Sequence, residues 1–347
     1  MAGVAGHTAG LVSNTGLMKS VLIAEIMRGG RVESRHDGAF AVADARGHLV
    51  LSGGDPERAV FPRSAIKALQ ALPLLMSGAA DRFGLAGPAL ALACASHEGA
   101  PEHAETAAGM LEAAGVDFAC LECGTHWPAS HSAARALAAA GHLPSALHNN
   151  CSGKHAGFVC TAIATGRKTA GYVAPDHPTM REVTAMVAAV TGVRLADQVP
   201  GVDGCSIPTY EIPLRALATG FARFGTGTDL PVGAAAAAAR LRQAVAANPT
   251  MIAGVRRFDT EIAEGLGEAA FVKVGAEGVY CGALPGLGLG FALKCDDGAI
   301  RAAEAATASL LARWLGPSDL LNGLAAPVLT NWNGIAVGSV RGCLGET

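Results

Sequence analysis

Pro62-Arg63-Ser64-Ala65-Ile66-Lys67-Ala68-Leu69-Gln70 is the stretch at which the chain changes character. Before it, residues 21–25, 39–43 and 49–52 read as strands, the last two joined by a turn at Ala45, Arg46 and Gly47. From it onward, apolar residues recur at Ile66, Leu69, Leu72 and Leu75, and a spacing of three keeps one helix face toward a core. Helical patterns follow over residues 101–114, 131–140, 153–164, 178–190 and 234–247. Beyond Asp259 the pattern returns to strands at 271–274, 278–281 and 287–294, then a helix at 299–315 and late strands at 328–329 and 335–340. Strands at both ends around a helical middle predict one α+β unit whose termini share a sheet.

Composition narrows the function. Of 347 residues, 50% are hydrophobic and 16% charged, and the formal net charge is −3, so no basic surface suited to nucleic acid or an anionic membrane is expected. The first charge is Lys19, which leaves residues 1–18 without the basic start of a signal peptide. The charge-free stretches 279–293 and 320–340 are broken by Gly, Pro, Asn and Thr, short of the roughly 20 apolar residues of a membrane span. Nine cysteines in apolar or glycine-flanked settings fit a reducing cytoplasm better than a secreted disulfide framework. Only six of the 26 basic residues are lysines.

Ser64 and Lys67 form Ser-x-x-Lys, which on a helix puts hydroxyl and amine on one face. A buried lysine with a lowered pKa can take the proton of such a serine, although the bare pattern also suits a solvated helix start. Lys273-Val274-Gly275 is a second piece, a strand-borne amine late in the chain. Ser96, in Cys94-Ala95-Ser96-His97-Glu98-Gly99, follows the apolar strand-like run 89–93. The order Ser-x-x-Lys, serine loop, Lys-x-Gly is similar to that of penicillin-recognising enzymes; the bland alternative for Ser96 and His97 is helix capping before Pro101.

Asn149-Asn150-Cys151-Ser152-Gly153-Lys154-His155 and Asp203-Gly204-Cys205 supply two cysteines in polar, glycine-lined loops. Their thiolates can hold a soft metal such as zinc, pair as a disulfide, or remain inert. Cys120-Leu121-Glu122-Cys123 has the redox or zinc-knuckle spacing but no second such pair and no thioredoxin-like context, so a structural reading is preferred. Cys160 reads as core filling, and His126, His131, His142 and His148 receive no role.

Together these motifs resemble the Rhizobium etli-type L-asparaginases, also called thermolabile or class 3. The similarity runs from Arg28-Gly29-Gly30-Arg31-Val32-Glu33-Ser34 through the segments of Ser64, Ser96, Cys151 and Asp203 to Lys273-Val274-Gly275-Ala276. It implies a fold like that of serine β-lactamases and glutaminases, a homodimer, and hydrolysis of L-asparagine to L-aspartate and ammonia. Residues 18–347 would be a single catalytic unit, and residues 1–17 a flexible extension. Ser64 with Lys67 and Ser96 with Lys273 would be two Ser-Lys tandems. One zinc ion per chain would be held by Cys151, Lys154 and Cys205, aiding substrate binding rather than generating the nucleophile. Arg63, His97, His155 and Asp203 would contact substrate or support these groups. Rival readings are glutaminase or β-lactamase-like activity on the same scaffold, or a non-catalytic zinc or thiol redox sensor built on Cys120, Cys123, Cys151 and Cys205. Lys67, Lys154 and Lys273 are half of all lysines, whereas Lys19, Lys168 and Lys294 read as solvated charges.

Overall fold

The computed structural model describes residues 19–345, so the extension expected over 1–17 lies outside the described residues. Eight strands form one antiparallel sheet: β1 (Val21–Arg28), β2 (Arg31–Asp44), β3 (Leu49–Gly53), β4 (Phe271–Val274), β5 (Val279–Leu284), β6 (Leu289–Cys295), β7 (Val328–Thr330) and β8 (Ala336–Gly342). The order across it is β7-β8-β1-β2-β6-β5-β4, with β3 also paired to β2. Ala24 lies opposite Gly342 and Met27 opposite Ser339, so the first and last strands do share the sheet. The class is α+β, as the pattern of elements implies.

The main helices are α1 (Lys67–Gln70), α2 (Leu72–Met76), α3 (Pro88–Ala93), α4 (Pro101–Ala113), α5 (His131–Ala139), α6 (Ser152–Ala164), α7 (Pro178–Thr191), α8 (Leu214–Thr226), α9 (Ala234–Ala247), α10 (Phe258–Leu266), α11 (Ile300–Leu315) and α12 (Asp319–Ala325). Strand alternation divides the core in two. Phe40 and Val42 of β2 join Ile23, Tyr280, Phe291 and the alanines of α11 on one face. Ala39, Ala41 and Ala43 face the other way, toward the helical body. These small residues let α8 lie on β2, β5 and β6. The same alternation places Val272 in the α11 core and Phe271 in the helical one, so Lys273 shares the helical face.

Several expectations are corrected. The helical stretch expected to run on from Ser64 is divided into a 3₁₀ turn (Arg63–Ile66), α1 and α2, because Pro73 has no N–H to continue the ladder. The run 89–93 is helix α3, not a strand: Pro88 sits in its first turn, and an unbroken apolar run has no period to separate the two states. Lys294 is not a freely solvated charge. It is half-buried, its amine donates to the carbonyls of Glu277 and Cys295, and burial lowers its pKa. Lys19 and Lys168 are exposed. Among the described residues, no helix is long and apolar enough to cross a membrane.

Candidate active site

Three segments converge at the helical face of β4. The first is the turn that carries Ser64. Arg63 adopts φ +51°, a left-handed conformation costing a non-glycine residue on the order of 1 kcal/mol. Its guanidinium is held by an ion pair with Asp203. Just past β4, a Cβ on Gly275 would stand 2.5 Å from the Pro62 carbonyl oxygen and 3.1 Å from Ala65 Cβ. The glycine of Lys-x-Gly thus lets the lysine-bearing strand touch the Ser64 turn backbone to backbone.

The second segment is the loop after α3, fixed by hydrogen bonds from Ser96 N to Ile252 O (3.0 Å) and from His97 N to Asn150 O (3.2 Å). The third is the start of α6. A Cβ on Gly153 would lie 2.5 Å from Leu92 O, so glycine is what allows α6 to lean on α3 and bring Cys151 and Lys154 beside the serines.

At the meeting point the half-buried Ser96 hydroxyl lies between two lysines that are 0% exposed. Lys67 Nζ is 2.9 Å from Ser96 Oγ and Lys273 Nζ 3.0 Å. The other partners of Lys67 are the carbonyls of Ala95 (2.5 Å) and Asn150 (3.3 Å). Those of Lys273 are Val274 O (2.9 Å) and Asp259 Oδ2 (3.5 Å). Both amines donate to Ser96 Oγ; when either sheds a proton, its two remaining hydrogens have two other acceptors, and its lone pair can take the serine's single hydrogen, which serves one amine at a time. Burial pushes the Lys273 ammonium down to about 8, aided by Lys67 and opposed by Asp259. Ser64 is half-buried one turn before Lys67, and among the described residues Lys67 makes no hydrogen bond to it. The lysine nearest Ser64 in sequence is therefore tied to Ser96, as Lys273 is.

Beside this group lie Cys151, Lys154 and Cys205, all buried, with Lys154 Nζ 3.1 Å from Cys205 Sγ. Neither cysteine is in a disulfide. A hydrogen bond from Cys205 holds the Cys151 thiol well below its usual range, and the same bond pushes Cys205 up. Burial alone would lower the Lys154 ammonium, but Cys205, Cys151 and Asp203 raise it. Asp203 accepts from Gly204 N at 2.8 Å, and although burial opposes its ionisation, Lys154 and Arg63 pull its carboxyl down. Asp203 thereby links the Ser64 turn to the thiol pair. Two sulfurs and an amine nitrogen in one buried site are a donor set suited to zinc, provided that Lys154 sheds the proton with which it now donates to Cys205.

The two histidines are held rigidly. His97 is 1% exposed, its Nδ1 accepting from Gly99 N (3.1 Å) and its Nε2 bonded to Ser152 Oγ (2.9 Å), and it stacks on His103. The buried His155 pairs through Nδ1 with Tyr172 Oη at 2.6 Å, which leaves its Nε2 without a partner. Burial holds both imidazoles well below their ordinary pKa. Cys123 donates to Ala146 O (3.6 Å), so the Cys-x-x-Cys spacing does not form a bonded pair.

Sequence reasoning missed three contributors. Asp259 opens α10 and reaches both Lys273 and Val274 N (3.0 Å). Asn150 supplies a carbonyl to Lys67 and His97. His126 Nε2 accepts from Asn150 N (2.9 Å) and so fixes that loop. Only the Asn149-Asn150 doublet next to Cys151 offered a signal.

Comparison with known proteins places the chain. No curated protein matches it. Among solved structures, Mglu in its tris and glutamate form is similar at 13% identity and TM-score 0.40, over 79% of this chain and 58% of that one. A β-lactamase from Mycobacterium bovis is similar at 14% identity and TM-score 0.39, over 79% of this chain and 94% of its own. The chain thus spans little more than half the length of Mglu. The sequence profile of the L-asparaginase II family matches residues 24–342, nearly all of the described chain, and the protein belongs to that family.

Proposed function

We propose that the protein is an L-asparaginase of the Rhizobium etli type that hydrolyses L-asparagine to L-aspartate and ammonia, with Ser64 as nucleophile and Ser96 with two lysines carrying its protons. The observation that carries this reading is the Ser96 hydroxyl suspended between two buried amines at 2.9 and 3.0 Å. Ion pairing needs no such arrangement, whereas moving a proton between a nucleophile and a leaving group does.

Ser64, on the half-exposed turn, gives its proton to Lys67 as its oxygen attacks the side-chain amide carbon. Ser96 conducts protons between Lys67 and Lys273, and one of them goes to the departing nitrogen as the C–N bond breaks, releasing ammonia. Water then adds to the aspartyl ester, and Ser64 recovers its proton as aspartate leaves. Cys151, Lys154 and Cys205 would hold a zinc ion, which supplies a charge for anchoring the polar α-groups of the substrate. Arg63 and Asp203 fix the Ser64 turn against that site.

The direct test is ammonia release from L-asparagine, with L-glutamine and a chromogenic β-lactam alongside and with and without a chelator. Glutamine is one methylene longer, which packing alone discriminates by about 1–3 kcal/mol. Purified protein should contain about one zinc per chain, lost in Cys151→Ser and bound more weakly in acid, because the ligands must shed protons. Metal-free protein that binds asparagine with full affinity would exclude this role.

The rate should follow the free-base form of Lys273. With a pKa of about 8, roughly one tenth is unprotonated at pH 7, so kcat should climb up to tenfold between pH 7 and 9. A flat profile over that range would remove Lys273 from the proton path.

A further inference from the structure

Behind Lys273, acidic groups continue around the edge of the sheet to the opposite face. β4 is the last strand, and its outward N–H at Val274 is satisfied by Asp259 Oδ2, the same oxygen that faces Lys273 Nζ. The other oxygen, Asp259 Oδ1, is buried without a hydrogen-bond partner. Tyr280 of β5 lies in the far-face core, its ring edge-on to Phe258 at 5.3 Å. Its hydroxyl donates to Glu304 Oε1 of α11 at 3.3 Å, and its backbone pairs with Val274, whose N–H Asp259 holds, so the Asp259 carboxylate stands beside it; burial, with Asp259 and Glu304 adding to it, pushes the phenol well above its usual range. Glu304 lines a surface cleft of about 500 Å³ with Arg257, Arg301 and Glu261.

We propose that Glu304 is a positioning residue which, through Tyr280 and Asp259, sets how tightly Lys273 holds its proton. The proposal rests on the assignment of Lys273 to proton transfer. A phenol has one hydrogen to give. When Glu304 is protonated it donates to Tyr280, and Tyr280 donates to the partnerless Asp259 oxygen, which weakens the hold of Asp259 on the lysine. When Glu304 releases its proton to the cleft, the hydroxyl turns to Glu304, and Asp259 faces Lys273 with its charge unshared. Burial, with Asp259 adding to it, raises the Glu304 carboxyl to about 7, whereas Arg257 opposes and Glu261 adds a small push upward. The switch therefore falls in the neutral range. Lys273 itself bonds to Ser96, Asp259 and Val274 O, and the charges that act on it besides are Lys67 and the more distant Cys151, Cys94 and Cys281 thiols.

Six lysines make the test direct. In full-length protein labelled with lysine carrying ¹³C at Cε, the Lys273 signal is assigned by its loss in Lys273→Met and titrated from pH 6 to 10 without substrate. Glu304→Gln should lower its midpoint by about half a unit or more, because the variant keeps a donor and loses the charge. In a Tyr280→Phe background the same change should have less than half that effect. The alkaline rise in kcat should move with the midpoint while KM stays put. An unmoved Lys273 signal in Glu304→Gln, or an equal shift with and without the Tyr280 hydroxyl, overturns the relay. Should Tyr280→Phe not fold, Glu304→Asp takes its place: it keeps the charge but draws the carboxylate back from the hydroxyl, so the Lys273 midpoint should still fall if the hydroxyl transmits the effect, and an unmoved midpoint overturns the relay. Absence of asparagine turnover would defeat the functional reading instead, leaving the titration valid.

Discussion

Ser64→Ala is expected to lower asparagine turnover by about 10⁴-fold or more with the melting temperature nearly unchanged, since loss of a nucleophile removes the covalent route outright. The structure separates these two effects. Ser64 is half-exposed and Lys67 does not lean on its hydroxyl, so no buried donor is stranded by its removal. Stability should change by less than about 0.5 kcal/mol. Ser96→Ala makes the contrast, because two buried amines lose a shared partner; it should slow turnover by about 10²–10⁴-fold and also soften the fold. Acid quenching during turnover, followed by peptide mapping, should find the aspartyl ester on Ser64. Wild-type turnover in Ser64→Ala, or an ester on Ser96, would transfer the nucleophile's role.

Lys67→Met should damage both properties. The amine is wholly buried and satisfies the carbonyls of Ala95 and Asn150 besides touching Ser96. Methionine fills the space of the side chain but strands two acceptors, each costing about 1–3 kcal/mol. Denaturant unfolding should therefore show a loss of roughly 2–5 kcal/mol, and ammonia release under folding conditions should fall by about 10²–10⁴-fold. Lys67→Arg should be nearly as inactive, because a guanidinium keeps its proton near neutral pH. A folded Lys67→Met enzyme with normal kcat would show that the amine is only structural.

What the sequence revealed depended on whether a residue's chemistry was local. β4 was legible to the residue, because Phe271 and Lys273 alternate with valines at period two. Helices at Pro101 and Pro178 carried their own starting signals, and the one at Ala234 was marked by its alanine run. The Ala89–Ala93 stretch had Pro88 as such a signal but no period, since a run that is apolar on every side has no face. The core helix α8 escaped notice although Leu214, Leu217, Ala218 and Phe221 line its buried side. At the site, the Ser-x-x-Lys and Lys-x-Gly patterns and the scarcity of lysine drew attention to Lys67 and Lys273, whereas Lys154 was nominated only by the family resemblance. It paired each serine with its own lysine, however, whereas the fold gives Ser96 both amines; pairing across Lys67, Ser96 and Lys273 is a tertiary fact with no sequence period. Asp259 was invisible for the same reason, since an acidic residue in the first turn of a helix looks like any other favourable charge there.

The neighbourship of β1 and β8 has a consequence for how the molecule is made. β1 leaves the ribosome more than three hundred residues before the strand that covers its open side. Closing that pair spans more than three hundred residues, so its entropy cost is met only after the intervening body has collapsed. Ser64, Lys67, Ser96 and the thiol pair can dock early as a helical subassembly, while Lys273 arrives with the late strands. Nascent chains would thus hold a half-built centre beside an uncovered strand edge, the state in which such a protein is most exposed to aggregation.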